Sequence, residues 1–275
     1  MAISALYFAL VLIPRRMLAR GLGFPHRRLV ILYYHGVRDG ERASFRNQMD
    51  ALSRAGLPVP LSEVPPRAAC DFLVGLTFDD GFANLVRNVF PELSDRKIPA
   101  TIFIPSGNLG KPPSWHLETG CADRTERILS PEELRFMDHT LFTVGSHTVS
   151  HEDLTRMPEE RILEEFTRSR KDLEHLTGAP VVLLSFPHGR HSERIAEMAR
   201  RAGYRMAFTI DPETICPDRA GFLAGRTRVD PSDWRVEFWL KIRGGYSWMG
   251  TYQKLKRGIA GSRDIRSGSW RCRGK

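Results

Sequence analysis

Short runs of apolar residues recur along the chain, at about residues 29–34, 72–78, 100–104, 141–145, 181–186 and 204–210. Runs of this length with little polar alternation read as strands buried on both faces. Amphipathic segments lie between them. "PEERILEEFTRSRKDLEHLTG" repeats its apolar positions at helical spacing and stops at Gly178, and "SERIAEMARRAG" starts at Ser192 and stops at Gly203. "SPEELRFM" opens with Ser130, then Pro131 in the first helical position and Glu133 at the third, a capping-box pattern. A last segment, "SDWRVEFWLKIRGG", runs to Gly244. Strands alternating with helices imply parallel pairing through right-handed crossovers. Six or seven such units in about 220 residues suit a barrel better than an open sheet, and barrels of this kind place their chemistry at the C-terminal ends of the strands. The expected fold is therefore α/β: a distorted (β/α) barrel of about seven parallel strands over residues 28–250.

The two ends of the chain read differently. Residues 2–13 are mostly apolar and are followed by Pro14, Arg15 and Arg16. Twelve residues are too few to span a bilayer comfortably. No basic side chain precedes them, and no small-residue cleavage site follows, so a secretory signal fits poorly. Residues 1–27 are expected to form an interfacial helix with arginines at headgroup level, the alternatives being a signal-like segment or a helix packed on the domain. From Lys254 to Lys275 there are eight Lys or Arg and one acid, Asp264. Residues 251–275 are thus expected to be a flexible basic tail, either simply solvated or in contact with anionic lipid or an acidic polymer. The tail largely accounts for the net charge of +9; hydrophobic content of 41% and charged content of 27% are ordinary for a globular chain. No aromatic interleaving or known motif points to nucleic acid. Cys70, Cys121, Cys216 and Cys272 are scattered, so neither a disulfide framework nor a cysteine metal site is indicated. Cytoplasmic or peripheral membrane placement is favoured over secretion.

Polar residues gather just after the strands. "VGLTFDDGF" puts Asp79 and Asp80 after the second, "LFTVGSHTVSH" puts His147 and His151 after the fourth, and "LLSFPHGRH" puts His188 after the fifth. "LVILYYHGV" ends the first strand with His35. A spacing of four would place His147 and His151 on one side of a helical turn, within reach of one metal ion. Two imidazoles and one carboxylate form a facial ligand set for Zn²⁺ or a similar divalent ion, with positions left open for water and substrate. Asp-Asp-Gly is also ordinary turn chemistry, with Gly81 suited to positive φ. Adjacent aspartates point in different directions, so one can bind a metal while the other takes a proton from water.

"TFDDG" at 77–81, "SHTVSH" at 146–151 and "FPHG" at 186–189 together resemble the successive motifs of the polysaccharide deacetylases, the NodB-homology or carbohydrate esterase family 4 group. The resemblance covers roughly residues 29–243. It implies a metal-dependent hydrolase that removes acetyl groups from N-acetylated sugars. Asp79 would be the general base, Asp80, His147 and His151 the metal ligands, and the backbone N–H of His188 an oxyanion donor beside Pro187. The ion would be Zn²⁺, with Co²⁺ and Ni²⁺ equally accommodated.

The chain departs from the family pattern in three places. Ser185 stands where an arginine often steadies the base, and Arg226 in "LAGRTRVD" is the candidate replacement. His188 stands in place of the usual tyrosine, a swap that a backbone donor tolerates. No histidine follows His191 to supply the catalytic acid of a late strand. "YYHGV" at 33–37 resembles a subgroup in which that motif is permuted to the N-terminal side, which would make His35 the acid. Trp234 in "DPSDW" is a candidate for stacking on a sugar face, and Pro187 and Arg226 join it on the substrate side. His191 and His116 are expected to be peripheral. The competing readings are a carbohydrate-binding barrel without turnover and a hydrolase of another amide or ester.

Overall fold

The computed structural model describes residues 1–14, 17–18, 27–64, 72–117 and 122–260. Ten strands form one sheet: β1 (Arg28–Tyr34), β2 (Leu57–Pro58), β3 (Phe72–Phe78), β4 (Ala100–Ile104), β5 (Phe142–Ser146), β6 (Leu183–Ser185), β7 (Met206–Thr209), β8 (Thr214–Ile215), β9 (Leu223–Gly225) and β10 (Thr227–Arg228). The helices are α1 (Ala2–Tyr7), α2 (Arg42–Ala55), α3 (Asn84–Asn88), α4 (Phe90–Arg96), α5 (Pro131–Arg135), α6 (Glu159–Thr177), α7 (Glu193–Arg201), α8 (Arg235–Ile242) and α9 (Ser247–Ala260). All six sequence-predicted strands are present, and the caps at Ser130, Ser192 and Gly178 form as the sequence predicts.

The main path runs β10-β1-β3-β4-β5-β6-β7-β9, with every neighbour parallel. Its two ends are consecutive in sequence. Residues 223–225 pair with β7, residues 227–228 pair with β1, and Arg226 alone lies between them. One short segment thus closes the sheet into a barrel as its seventh stave, the one the sequence left unplaced. β2 adds to β3, and β8 lies antiparallel on β1.

Side chains alternate across each stave. Leu29 and Ile31 of β1 meet Leu73, Phe103, Leu183 and Phe208 inside the barrel. Val30, Leu32 and Tyr34 face outward into the layer under the helices. The interior is narrow, which is why β5 carries Gly145: a Cβ there would lie 2.5 Å from the Phe103 ring. In β3 the inward parity of Leu73 and Gly75 continues through Thr77 to Asp79, so the strand that fills the barrel floor also delivers a carboxylate to its rim.

The chain ends differ from expectation. Residues 251–260, predicted as part of a loose tail, belong to α9, because Trp248 at its start donates through Nε1 to Ser4 Oγ at 3.1 Å and ties the helix to α1. Residues 261–275 lie outside the described part, as do Arg15, Arg16 and residues 19–26 of the predicted N-terminal segment.

Candidate active site

The rim gathers the side chains that the strand ends deliver. In the β1–β3 ladder Tyr34 pairs with Phe78, and the Asp79 N–H donates to the Tyr34 carbonyl at 2.9 Å. His35 and Asp79 therefore leave neighbouring strands at the same height. Asp80 follows with φ 65° and Gly81 with φ 63°, so the chain turns back and the two carboxylates diverge. That is the predicted turn, shared between an aspartate and a glycine.

Arg226 organises one half of the rim. It is 0% exposed. Its Nη1 and Nη2 donate to Asp79 Oδ1 and Oδ2 at 2.7 and 2.8 Å. The remaining donors reach Thr77 Oγ1 at 3.0 Å, Ser185 Oγ at 2.8 Å and the Thr209 carbonyl at 3.3 Å. All five guanidinium N–H groups are satisfied, and the plane rests near the rings of Tyr33, Phe103 and Phe208. Burial pushes the Asp79 carboxyl up, but the Arg226 charge, the nearby His147 and the Arg226 hydrogen bonds outweigh it and hold Asp79 at about 2. The arginine missing at position 185 is thus replaced from across the barrel, with Ser185 now accepting from it. This corrects the placement of Arg226 on the substrate side: it is sealed beneath the rim and its donors are spent on protein acceptors.

The other half of the rim holds Asp80, His147 and His151. One ligand atom of each lies within 4.8 Å of the others. Asp80 Oδ1 is 3.1 Å from His151 Nε2 and 3.5 Å from His147 Nε2. Asp80 Oδ1 and His151 Nδ1 are buried without a hydrogen bond among the described residues. His147 Nδ1 lies 2.7 Å from the Ser185 carbonyl and donates to it, which leaves the Nε2 lone pair facing Asp80. Burial pushes His147 down to about 4 and His151 well below its ordinary range, so both imidazoles are neutral at pH 7. Burial pushes Asp80 up. Two neutral imidazoles and an under-solvated carboxylate converging on one point fit a divalent cation.

The predicted helical turn between His147 and His151 is absent. Residues 147–153 form a loop in which Thr148 and His151 adopt φ 65° and 58°. Left-handed backbone costs a non-glycine residue roughly 1–2 kcal/mol. Four of the five described non-glycine residues with positive φ lie here: Asp80, Thr148, His151 and His188. Such clustering is typical of functional sites whose surroundings over-determine the strained geometry. The compensation is visible. Glu165, buried on α6, accepts the N–H groups of Val149 and Ser150 at 2.7 and 2.9 Å. The Thr148 N–H donates to Ser146 Oγ at 3.1 Å, and the Thr148 carbonyl accepts from the Ser106 N–H at 3.0 Å.

Burial holds His35 at about 4, against the opposing pull of Asp80 and Asp79. His188 sits at φ 57° in the turn after β6, its ring edge-on to His151 with centroids 4.7 Å apart. The turn needs Gly189, whose Cβ would meet Ile210 Cγ1 at 2.3 Å. Pro187 is buried in the same turn, so its part is to shape the backbone. His191 stacks on Phe186 and His116 is exposed, both peripheral. Trp234 is 74% exposed at the N-cap of α8. The indole against the Asp80–His147–His151 cluster is that of Trp115, stacked on His151 at 4.1 Å. Sequence reasoning missed Trp115, which sits in a proline-containing loop without periodic signal. It also missed Glu165, whose sign was an acid inside the apolar stripe of α6, beside Ile162 and Phe166.

A barrel closed by parallel strands, with an arginine-clamped carboxylate beside an Asp-His-His cluster on one rim, is the architecture that the three motifs imply. The polysaccharide deacetylase family model matches residues 67–207, and the chain belongs to that family, enzymes that hydrolyse carbohydrate N-acetyl amides. Over 215 residues it is 24% identical to YxkH of Bacillus subtilis, covering 74% of this chain and 72% of that one. It is 24% identical over 190 residues to a poly-beta-1,6-N-acetyl-D-glucosamine N-deacetylase of Staphylococcus aureus, covering 66% of this chain and 60% of that protein's length. IcaB from Ammonifex degensii superposes with a TM-score of 0.63 at 27% identity, covering 78% of this chain and 97% of IcaB.

Proposed function

We propose that this chain removes N-acetyl groups from an N-acetylhexosamine polymer, with a β-1,6-linked N-acetylglucosamine chain as the first substrate to test. The observation that carries this is the division of the rim: Asp79 held by Arg226, and Asp80, His147 and His151 facing one another with unmet bonds. The substrate class draws on the S. aureus enzyme's name and on the likeness to IcaB.

Asp80, His147 and His151 would hold one divalent cation, Zn²⁺ being the ordinary choice for such donors. When bound, that ion supplies Lewis acidity to the acetyl carbonyl and to water. Asp79 takes the proton of the attacking water. Arg226 fixes the plane of its carboxylate and keeps it ionised well below neutrality. His35, beside it at the end of β1, delivers a proton to the departing nitrogen. Burial makes His35 neutral at pH 7. The proton that Asp79 takes from water is the one the departing amine needs, so the proton count closes across the two residues. The left-handed turn at His188 presents its backbone to the developing oxyanion.

The test is acetate release from β-1,6- and β-1,4-linked N-acetylglucosamine oligomers, comparing wild type with Asp79→Asn. Acetate from the wild type alone supports the reading. No acetate from any oligomer, in protein shown to hold metal, would point to a binding barrel or to another scissile bond.

A further inference from the structure

The N-terminal helix has two apolar sides, and only one of them is used. Ser4 and Phe8 face the barrel domain: Ser4 Oγ accepts from Trp248 of α9, and Phe8 packs edge-on against Trp239 of α8 with centroids 4.9 Å apart. Ile3, Leu6, Leu10, Val11 and Ile13 are exposed, at 62, 59, 65, 43 and 40%. Ile3 and Leu6 lie in α1, and Leu10 and Val11 in the π-helical turn Phe8–Leu12 that continues it, so exposed apolar side chains run the length of this segment. The helices beneath extend this face, with Val236 and Trp239 exposed on α8 and Tyr252 and Leu255 on α9. Scattered apolar residues on a surface are ordinary; a continuous run with tryptophan and tyrosine beside it marks an interaction surface. Among the described residues no helix is long and apolar enough to cross a membrane.

Charge selects the occupant. Residues 1–20 contain Arg15, Arg16 and Arg20 and no Asp or Glu. Arg235 and Lys256 are exposed on the helices that carry the face. A second copy seated on this surface would bring like charge against like charge, whereas an anionic lipid surface is complementary. Tryptophan and tyrosine beside aliphatic side chains also match the interfacial zone of a bilayer, where the ring body is buried and the polar atom stays wet. We infer that α1 and the π-helical turn Phe8–Leu12 that follows it, with the exposed edges of α8 and α9, dock the enzyme on an anionic phospholipid surface, the apolar side chains lying in the headgroup boundary rather than spanning the bilayer.

The experiment is co-sedimentation of the full chain with vesicles of phosphatidylcholine alone or mixed with phosphatidylglycerol, at low and high salt. Wild type should partition onto the mixed vesicles and be released by salt. Leu6→Asp combined with Leu10→Asp should weaken that partition by at least roughly tenfold, with the thermal unfolding midpoint unchanged. Arg235→Glu combined with Lys256→Glu should weaken it by a smaller factor and flatten the salt dependence. Phe136→Ser, which removes the 87% exposed phenylalanine after α5, is the control and should change nothing. The inference is overturned if wild type ignores anionic vesicles at low salt. It is equally overturned if light scattering shows a dimer that Leu6→Asp dissolves, because a second copy would then hold the face.

Discussion

The two halves of the rim are built on opposite terms. Around Asp79 bonding is complete: two carboxylate oxygens and five guanidinium N–H groups all find partners. Around Asp80 it is deliberately incomplete, with a carboxylate oxygen and an imidazole nitrogen buried and unbonded. One aspartate is held well below its ordinary range and its neighbour is pushed above it, although they are adjacent in sequence. A saturated group is fixed in place and keeps its charge; the cluster around Asp80 has the donor set and geometry that a divalent cation would take. Identity of residue does not decide which role an aspartate takes. The strand parity that aims Asp79 inward at Arg226, and the left-handed turn that swings Asp80 toward the histidines, decide it.

The largest effect should come from removing a ligand on the open side. His147→Ala leaves two donors, and metal content after dialysis should fall to a small fraction of one equivalent, with acetate release lost along with it. Retention of a full equivalent would break the contrast. On the closed side, Arg226→Met strands a buried carboxylate and should lower the unfolding free energy by roughly 3–5 kcal/mol in urea titrations. The acid limb of activity should also move to higher pH, since the charge that depresses Asp79 is gone. Arg226→Lys should recover only part, because an ammonium cannot donate to both oxygens and to Ser185 in the same plane.

Smaller effects sharpen the picture. Glu165→Gln keeps the shape but weakens the support of the 147–151 loop. Metal affinity should drop by roughly 10–100-fold while the metal-saturated rate changes little. In metal-free protein, His35 and His147 have folded values of about 4 against an ordinary 6.5. The unfolded chain therefore binds protons first, and stability should fall as pH drops from about 6.5 to about 4. Asp79 acts in a separate window: its contribution is present above its ordinary 3.8 and is lost as pH falls through about 2. Urea midpoints across pH would separate the two, and a flat profile between pH 6.5 and 4 would contradict the burial of the histidines.

Much of this was legible in the sequence, for reasons that are local. Buried parallel strands announce themselves as apolar runs, and Ser130, Ser192 and Gly178 mark helix ends by their own chemistry. The rim followed from the rule that barrel chemistry sits after the strands. What was hidden depends on distant partners. The closing stave is two short pieces around Arg226, too brief for any pattern. The resemblance offered Arg226 as the arginine that steadies Asp79, but the pairing itself spans 147 positions and exists only once the barrel closes. The histidine spacing suggested a helix; the chain instead uses two left-handed residues, a geometry that the Glu165 carboxylate supports from another element.

The division between Asp79 and Asp80 is best tested by zinc content and acetate release measured on the same preparations of Asp79→Asn and Asp80→Asn. Asp79→Asn should hold close to one equivalent of zinc and release no acetate, and Asp80→Asn should lose both. Loss of zinc from Asp79→Asn, or its retention by Asp80→Asn, would contradict the assignment of the two carboxylates.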